Sequence, residues 1–424
     1  MAFTYAIYLV TLLLFVLLSF RSRNDLVTIW GLIYGLYSLG FVAQTVSMDF
    51  FSLWVYAEFS AEQYVMFTLL NVACTAVILV SNLPRPGPPQ RPKLVKITGW
   101  AFVALGLVAA LNELRFFGVT NFFLSDKILR FSGALGTLNN VFIISIDYRL
   151  FLMAGCYALS TLAPRRTRWL WYAGMAAAAV TGFLQGYRYY LALLFLLAYV
   201  DVVKHRLRLH PLISVGALIA ILPLAEMTKD LLSWIRFYQW VRYQGFVNFM
   251  AANIDSYLPG EIQAITVNTY LGLALYFDQL HADLLGYFVK VIPFSERFYD
   301  FTALNDMYAT IGQHMVIVPG AGTAFSFYLE NYVAYFLPMF ALLGVLLLTR
   351  IHPSPVVKVA TIFFLLNLVR NGFLVSISGL KIPLLVYFLV LGGAWVAGKL
   401  RVRPTPAAQP TAGARLKDTV RGGV

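Results

Sequence analysis

An all-α, polytopic membrane protein is the fold class this sequence predicts, and three observations predict it. Of the 424 residues, 60% are hydrophobic and only 12% are charged, against about 45–50% and 25% in ordinary soluble domains. The mean hydropathy is +0.74. The apolar residues also arrive in runs close to the roughly 20 residues that a helix needs to cross a bilayer, with basic residues alternating between the runs.

Taken in order, the runs predict about eleven helices. They are Tyr5 to Phe20, Leu26 to Val46, Tyr64 to Ser81, Ile97 to Leu111, Asn139 to Ala163, Trp169 to Leu184, Tyr189 to Val203, Leu209 to Met227, Tyr332 to Thr349, Val356 to Val369, and Ile382 to Ala397. The first counts as a helix because no basic segment precedes it and no small-residue cleavage site follows it. Arg21 and Arg23, then Arg85 to Lys96, then Arg165 to Arg168, then Lys204 to Arg208, then Arg350 with Lys358, and finally Lys399 to Arg403 fall on one side. The positive-inside rule makes that side cytoplasmic. Asp49, Glu58 and Glu62 fall on the other, and the register closes with the N-terminus outside, the C-terminus inside and an odd number of crossings. The net charge of +13 is therefore read as topology, and no nucleic-acid partner is expected.

Residues 1–227 are expected to hold eight helices, with a smaller outer loop near 113–138. Residues 228–331 form a large extracytoplasmic loop, 332–398 hold three more helices, and 399–424 form a basic cytoplasmic tail. That tail is rich in Pro, Ala and Gly from Pro404 to Val424, a composition that predicts disorder. A loop of roughly a hundred residues in a compact protein is usually functional. Within it, Thr266 to Asp278 reads as an amphipathic helix, and Trp234 with Trp240 among Arg236 and Arg242 suits a membrane surface. No internal repeat marks an inverted-repeat transporter. Cys74 and Cys156 sit inside apolar runs, which excludes a disulfide framework or a four-ligand zinc site.

Charged residues placed where lipid should be are the candidates for chemistry. The hairpin from Trp169 to Val203 holds 35 residues, fewer than two full crossings need, so its tip, Gln185-Gly186-Tyr187-Arg188, should lie below the outer surface. An unpaired guanidinium there costs at least about 2.5 kcal/mol, so Arg188 calls for an anion. The run from Val356 ends at Leu368-Val369-Arg370-Asn371-Gly372 on the same face, and two guanidinium groups at one depth suit a diphosphate. Separate anchoring of each helix at the headgroups is the competing reading. Asp147 and Arg149 lie on the order of 12–15 Å inside the run that begins at Asn139, where ionisable groups are functional candidates. At spacing two they point to nearly opposite helix faces and should not pair. A helix starting at Arg149 would instead make both ordinary boundary charges.

The large loop supplies further candidates. Of five histidines, His281 and His314 face outward, and Asp278 stands three residues before His281, a spacing that can orient a general base. Asp255, Glu261, Glu296 and Glu330 are the other carboxylates within reach. Arg236, Arg242 and Arg297, interleaved with Trp234, Tyr238, Trp240, Tyr243 and Tyr299, form a basic aromatic surface suited either to an oligosaccharide or to a membrane interface. No Asp-x-Asp pair, spaced histidine pair or glycine-rich phosphate loop occurs, so neither a metal nor a nucleotide cofactor is expected.

With these residues in place, the chain resembles the Wzy-type family, the polymerases of O-antigen and capsule repeat units. The resemblance rests on Gly186-Tyr187-Arg188 opening an apolar helix and on the large outer loop. It rests also on Pro319-Gly320-Ala321-Gly322-Thr323-Ala324-Phe325-Ser326 leading through Glu330-Asn331-Tyr332 into a helix with Gly344. It covers roughly Thr181 to Ala397. The resemblance implies a GT-C-like glycosyltransferase of the bacterial cytoplasmic membrane, with its active site facing outward and no metal or cofactor. Its partners would be an undecaprenyl-pyrophosphate oligosaccharide donor and acceptor, membrane lipids and a chain-length regulator. Arg188 and Arg370, with Tyr187, would hold the donor pyrophosphate; Arg236, Arg242 and Arg297 would hold the oligosaccharide. His281, His314, Asp147 and Glu330 remain open as acid/base groups. Two other readings stand beside it: an O-antigen ligase or other lipid-linked-sugar transferase, which as a GT-C enzyme would use Asp49 or Glu58, and a polysaccharide flippase, which would spread polar residues through its helices.

Overall fold

The structure, a computed structural model, describes residues 2–22, 24–46, 61–124, 146–185, 187, 189–202, 285–286, 289, 292–300 and 332–401. Every regular element among them is helical. The order is α1 (Ala2–Arg21), α2 (Asp25–Val46), α3 (Ala61–Asn82), α4 (Pro92–Leu124), α5 (Tyr148–Leu162), α6 (Arg165–Leu184), α7 (Tyr189–Ala198), a 3-10 turn at Ser295–Arg297, α8 (Tyr332–Ile351) and α9 (Pro355–Arg401). Three stretches, Ala2–Arg21, Pro92–Arg115 and Gly379–Ala397, are long and apolar enough to cross a membrane. Leu13, Leu14, Leu17, Leu107, Leu111 and Leu389 point outward from them. That arrangement, with apolar residues on the surface and polar ones within, suits a lipid surround.

Inside α1–α3 the packing combines aromatic rings with one satisfied polar network. Tyr5 and Tyr64 meet edge to face at 5.3 Å, and Tyr34 donates to Asn71 Oδ1 at 2.6 Å. Asn71 is fully buried and donates to Thr11 Oγ1 at 3.1 Å and to the Tyr8 carbonyl at 3.3 Å. Hydrogen bonds between helices count for more here than in water because an apolar surround offers no substitute partner.

Small residues set the spacing of α4 and α5. A Cβ on Gly99 would lie 2.9 Å from Leu159 Cγ, one on Gly106 would lie 2.8 Å from Leu152 Cγ, and one on Gly155 would lie 2.7 Å from the Gly99 carbonyl oxygen. The two backbones therefore approach closely and run antiparallel. Gly99 and Gly106 are seven residues apart on one face of α4, and seven further along that face stands Glu113. Continuing the same pairing down α5 brings Glu113 to Arg149. The helix then breaks at Gly118, whose φ of 72° belongs to the left-handed region open to glycine. That break turns Phe122 onto Tyr148, with the rings stacked at 5.7 Å.

Several expectations change. Residues 113–124, expected at the start of an outer loop, continue α4. α5 starts at Tyr148 with Asp147 as its N-cap, so Asp147 stands at the end of that helix and not 12–15 Å inside it, while residues 139–145 lie outside the described residues. α6 begins at Arg165, four residues before the expected start. Its 20 residues span about 30 Å, enough for one crossing, whereas α7 in the second arm of the hairpin has 10 residues. Residues 203–227, most of the 228–331 loop and the tail beyond Arg401 lie outside the described residues.

The runs Val356 to Val369 and Ile382 to Ala397 fall in the one helical stretch α9, 47 residues long. A straight helix of that length would extend about 70 Å, but its own contacts exclude a straight course. Gly379 abuts Phe363 so closely that a Cβ would meet Cε1 at 2.7 Å, where a straight helix would hold them about 24 Å apart. Tyr387 likewise bonds to His352, just ahead of the stretch. The chain must double back between Phe363 and Gly379, and both pairs are centred near Arg370-Asn371.

Candidate functional site

Four helices bring their ends together around Arg149. Asp147 caps α5: its Oδ1 accepts from the backbone N–H of Arg149 at 3.1 Å and of Leu150 at 3.5 Å, the usual service of an aspartate at this position. The Arg149 side chain is 7% exposed. Its Nη2 donates to Glu113 Oε1 of α4 at 3.2 Å, and its Nη1 lies 3.6 Å from Asp147 Oδ1. Asp147 and Arg149 thus do pair, contrary to the expectation from helical spacing. Asp147 has extended backbone angles, so the rotation of about 100° per residue that would separate them does not apply.

Aromatic rings enclose the guanidinium. Its carbon lies 4.1 Å from the Tyr148 ring centroid, 4.9 Å from that of Tyr187 and 5.8 Å from that of Tyr190, a cation held by ring faces away from water. The Tyr190 hydroxyl donates to Asp147 Oδ2. Gly182 of α6 makes room, since a Cβ there would clash with the Tyr190 ring and come 3.1 Å from Arg149 Cδ. Among the described residues, Arg149 Nε has no hydrogen-bond partner.

Gln185 fixes the tip of the α6–α7 hairpin against this group. It is fully buried; Nε2 donates to the Phe122 carbonyl at 2.6 Å, and Oε1 accepts from the Tyr148 hydroxyl at 3.1 Å. Tyr187 follows, its N–H bonded to the Gly182 carbonyl at 2.8 Å and its ring edge-on to Tyr189 and Tyr190 at 5.6 and 6.2 Å. Tyr190 in turn stacks on Phe363 of α9 at 5.7 Å. Phe363 lies seven residues before Arg370, so the α6–α7 tip and the first arm of α9 are neighbours.

Of the residues expected to act, Asp147 and Tyr187 are brought together here. Arg297 is exposed at the end of its 3-10 turn, with its guanidinium 5.8 Å from the Phe294 ring. Arg370 lies within α9, and its side chain is outside the described residues, as are Arg188, Arg236, Arg242, His281, His314 and Glu330 altogether. Sequence reasoning missed Glu113, Tyr148, Gln185 and Tyr190. The seven-residue step Gly99, Gly106, Glu113 is the signal that could have found the first, since it puts a carboxylate on a helix-packing face. Glu113 and Asp147 are the carboxylates of the group, and no cluster of three or more His, Cys, Asp or Glu occurs among the described residues.

The arrangement can hold oxygen atoms through a buried guanidinium and accept a proton on a carboxylate. Among the described residues, fold and site together define a helical bundle with three helices fit to cross a membrane and, at one end, a buried arginine joined to two partly exposed carboxylates and packed on tyrosine rings. No protein-family model, curated protein or solved structure matches the chain.

Proposed function

We propose that this protein is a glycosyltransferase that polymerises polyprenyl-diphosphate-linked oligosaccharide repeat units at the outer face of a bacterial cytoplasmic membrane. The observation that supports the reading is the packing of Tyr187, from the Gly186-Tyr187-Arg188 tip, on a buried arginine that joins two partly exposed carboxylates. The basic residues support the orientation. Arg21, Arg91, Lys93, Arg165, Arg350 and Lys358 belong to the opposite ends of these helices, which positive-inside topology makes cytoplasmic. The carboxylate–arginine group then faces outward.

In this reading the donor diphosphate binds Arg188 and Arg370, whose guanidinium groups take up charge as it leaves. The acceptor hydroxyl attacks the anomeric carbon, the bond from that carbon to the diphosphate oxygen breaks, and the hydroxyl proton passes to a base. Purified protein given lipid-linked repeat units should yield a ladder of polymer lengths. Arg188→Ala and Arg370→Ala should each lower the rate on the order of 100-fold or more while the protein remains inserted. A normal ladder from either variant would overturn the role of that arginine. A single transfer to a different lipid acceptor, without a ladder, would favour a ligase.

A further inference from the structure

We infer that the basic end of the bundle carries a site for an anionic phospholipid, held between the starts of α4 and α6; the inference goes beyond the polymerase reading and does not rest on it. Contacts with α5 set the geometry. Gly99 and Gly106 of α4 lie against Leu159 and Leu152, while Gly174 and Gly182 of α6 lie against Cys156 and Arg149. Both helices therefore run against α5, parallel to each other, and begin at the same end. The Trp100 and Trp171 rings meet edge to face at 5.3 Å and join the two helices there. Lys96 stands one turn before Trp100 and Lys93 one turn earlier still, on the same face of α4, and Arg168 stands one turn before Trp171 on α6.

These cations have no partner of opposite charge. Lys93 and Lys96 are exposed and Arg168 is half-buried, and none of the three forms an ion pair among the described residues. Arg168 Nη2 donates to the Ala163 carbonyl at 3.3 Å, which ties the guanidinium to the α5–α6 turn. Neither helix has an acidic residue in its first turn. Cations at a helix start stand against the helix dipole, so helix stability does not account for them. A phosphodiester lying between Lys96 and Arg168 offsets both kinds of repulsion.

Depth selects a lipid over a soluble anion. The stretch of α4 fit to cross a membrane begins at Pro92, which puts Lys93 and Lys96 at headgroup level. Ile97 and Trp100 follow, 39% and 49% exposed, where the acyl chains begin. Basic residues next to exposed indole rings mark the headgroup boundary, and basic clusters there hold anionic lipid. A soluble phosphate would meet the cations and leave Ile97 and Trp100 uncovered, whereas a phospholipid covers both.

The test uses the full chain in a neutral detergent, with equal amounts of phosphatidylglycerol and phosphatidylcholine of the same acyl chains, and counts the lipid retained by native mass spectrometry. Phosphatidylglycerol should be held in preference. Lys96→Gln and Arg168→Gln should each lower that preference about fivefold. Arg85→Gln, which removes an exposed cation on the same side but on neither helix, should leave it unchanged. Equal retention of the two lipids by wild type, or a loss in Arg85→Gln matching that in Lys96→Gln, overturns the site. Glycerophosphoglycerol, the same headgroup without acyl chains, should not displace the lipid; displacement by it overturns the lipid as occupant. If the charge substitutions prevent insertion, fluorescence decides. Phosphatidylglycerol with brominated chains should quench tryptophan emission more than brominated phosphatidylcholine, and Trp100→Phe should reduce that difference; an undiminished difference overturns the placement.

Discussion

The two ends of the bundle handle charge differently. At the basic end, Lys358 of α9 meets Asp25 of α2 at 3.0 Å, with both side chains about a fifth exposed, at 22% and 19%. Nearby, Tyr157 donates to Asp201 at 3.1 Å, Arg350 to Asn82 at 3.3 Å, and Gln90 to the Tyr387 hydroxyl at 2.9 Å. These contacts join separate segments pair by pair, with Tyr157 and Tyr387 buried. At the other end one arginine, far more buried, serves two carboxylates and three aromatic rings and still holds a donor in reserve. Each end keeps a buried polar atom without a hydrogen-bond partner, Gln90 Oε1 at the first and Arg149 Nε at the second, so the two ends differ in how many groups share one charge: one carboxylate for Lys358, two for Arg149.

Substitutions can break this contrast. Arg149→Met should have the largest effect, since it strands Glu113 and Asp147 without their shared cation. About 3–5 kcal/mol of stability should be lost, read as a fall in unfolding temperature in detergent. A loss no greater than that of an exposed pair would show that the group is hydrated and structurally idle. Gln185→Leu should come next: it leaves the Phe122 carbonyl and the Tyr148 hydroxyl without their partner, at about 1–3 kcal/mol. The α6–α7 tip should then become more open to protease than in wild type.

Lys358→Met should cost least, on the order of 1 kcal/mol, and leave polymer formation intact. A double-mutant cycle on Lys358 and Asp25, set beside one on Arg149 and Glu113, sharpens the comparison further. The first coupling should weaken more in high salt than the second, because the Arg149 side chain is 7% exposed and that of Lys358 22%, and a buried cation is less open to counterions. Equal salt sensitivity in the two cycles would mean that both ends are equally wet.

Much of the helical layout was legible in the residues. α1, α2, α3, α6 and α8 begin and end within a few residues of the apolar runs that announce them, because a run of that length and polarity has few alternatives to a helix. Asp147 shows where such reasoning fails. Its apolar flank, Val141 to Ile146, extends the hydropathy signal past the true start of α5, and hydropathy does not register a capping carboxylate as a boundary. α9 shows the converse: the two apolar runs are plain, yet only the contacts of Phe363 with Gly379 and of His352 with Tyr387 reveal how the stretch returns on itself.

Composition and periodicity settled that this chain is helical and rich in segments fit for lipid, since hydropathy and helix formation act between residues close in the chain. They could not settle that Glu113 and Arg149, 36 positions apart, share a charge, or that Gln185 reaches the carbonyl of Phe122 across 63. Those contacts depend on how closely Gly99, Gly106 and Gly155 let two backbones approach. They depend also on where Gly118 bends α4, and helix packing of that kind leaves no local signature.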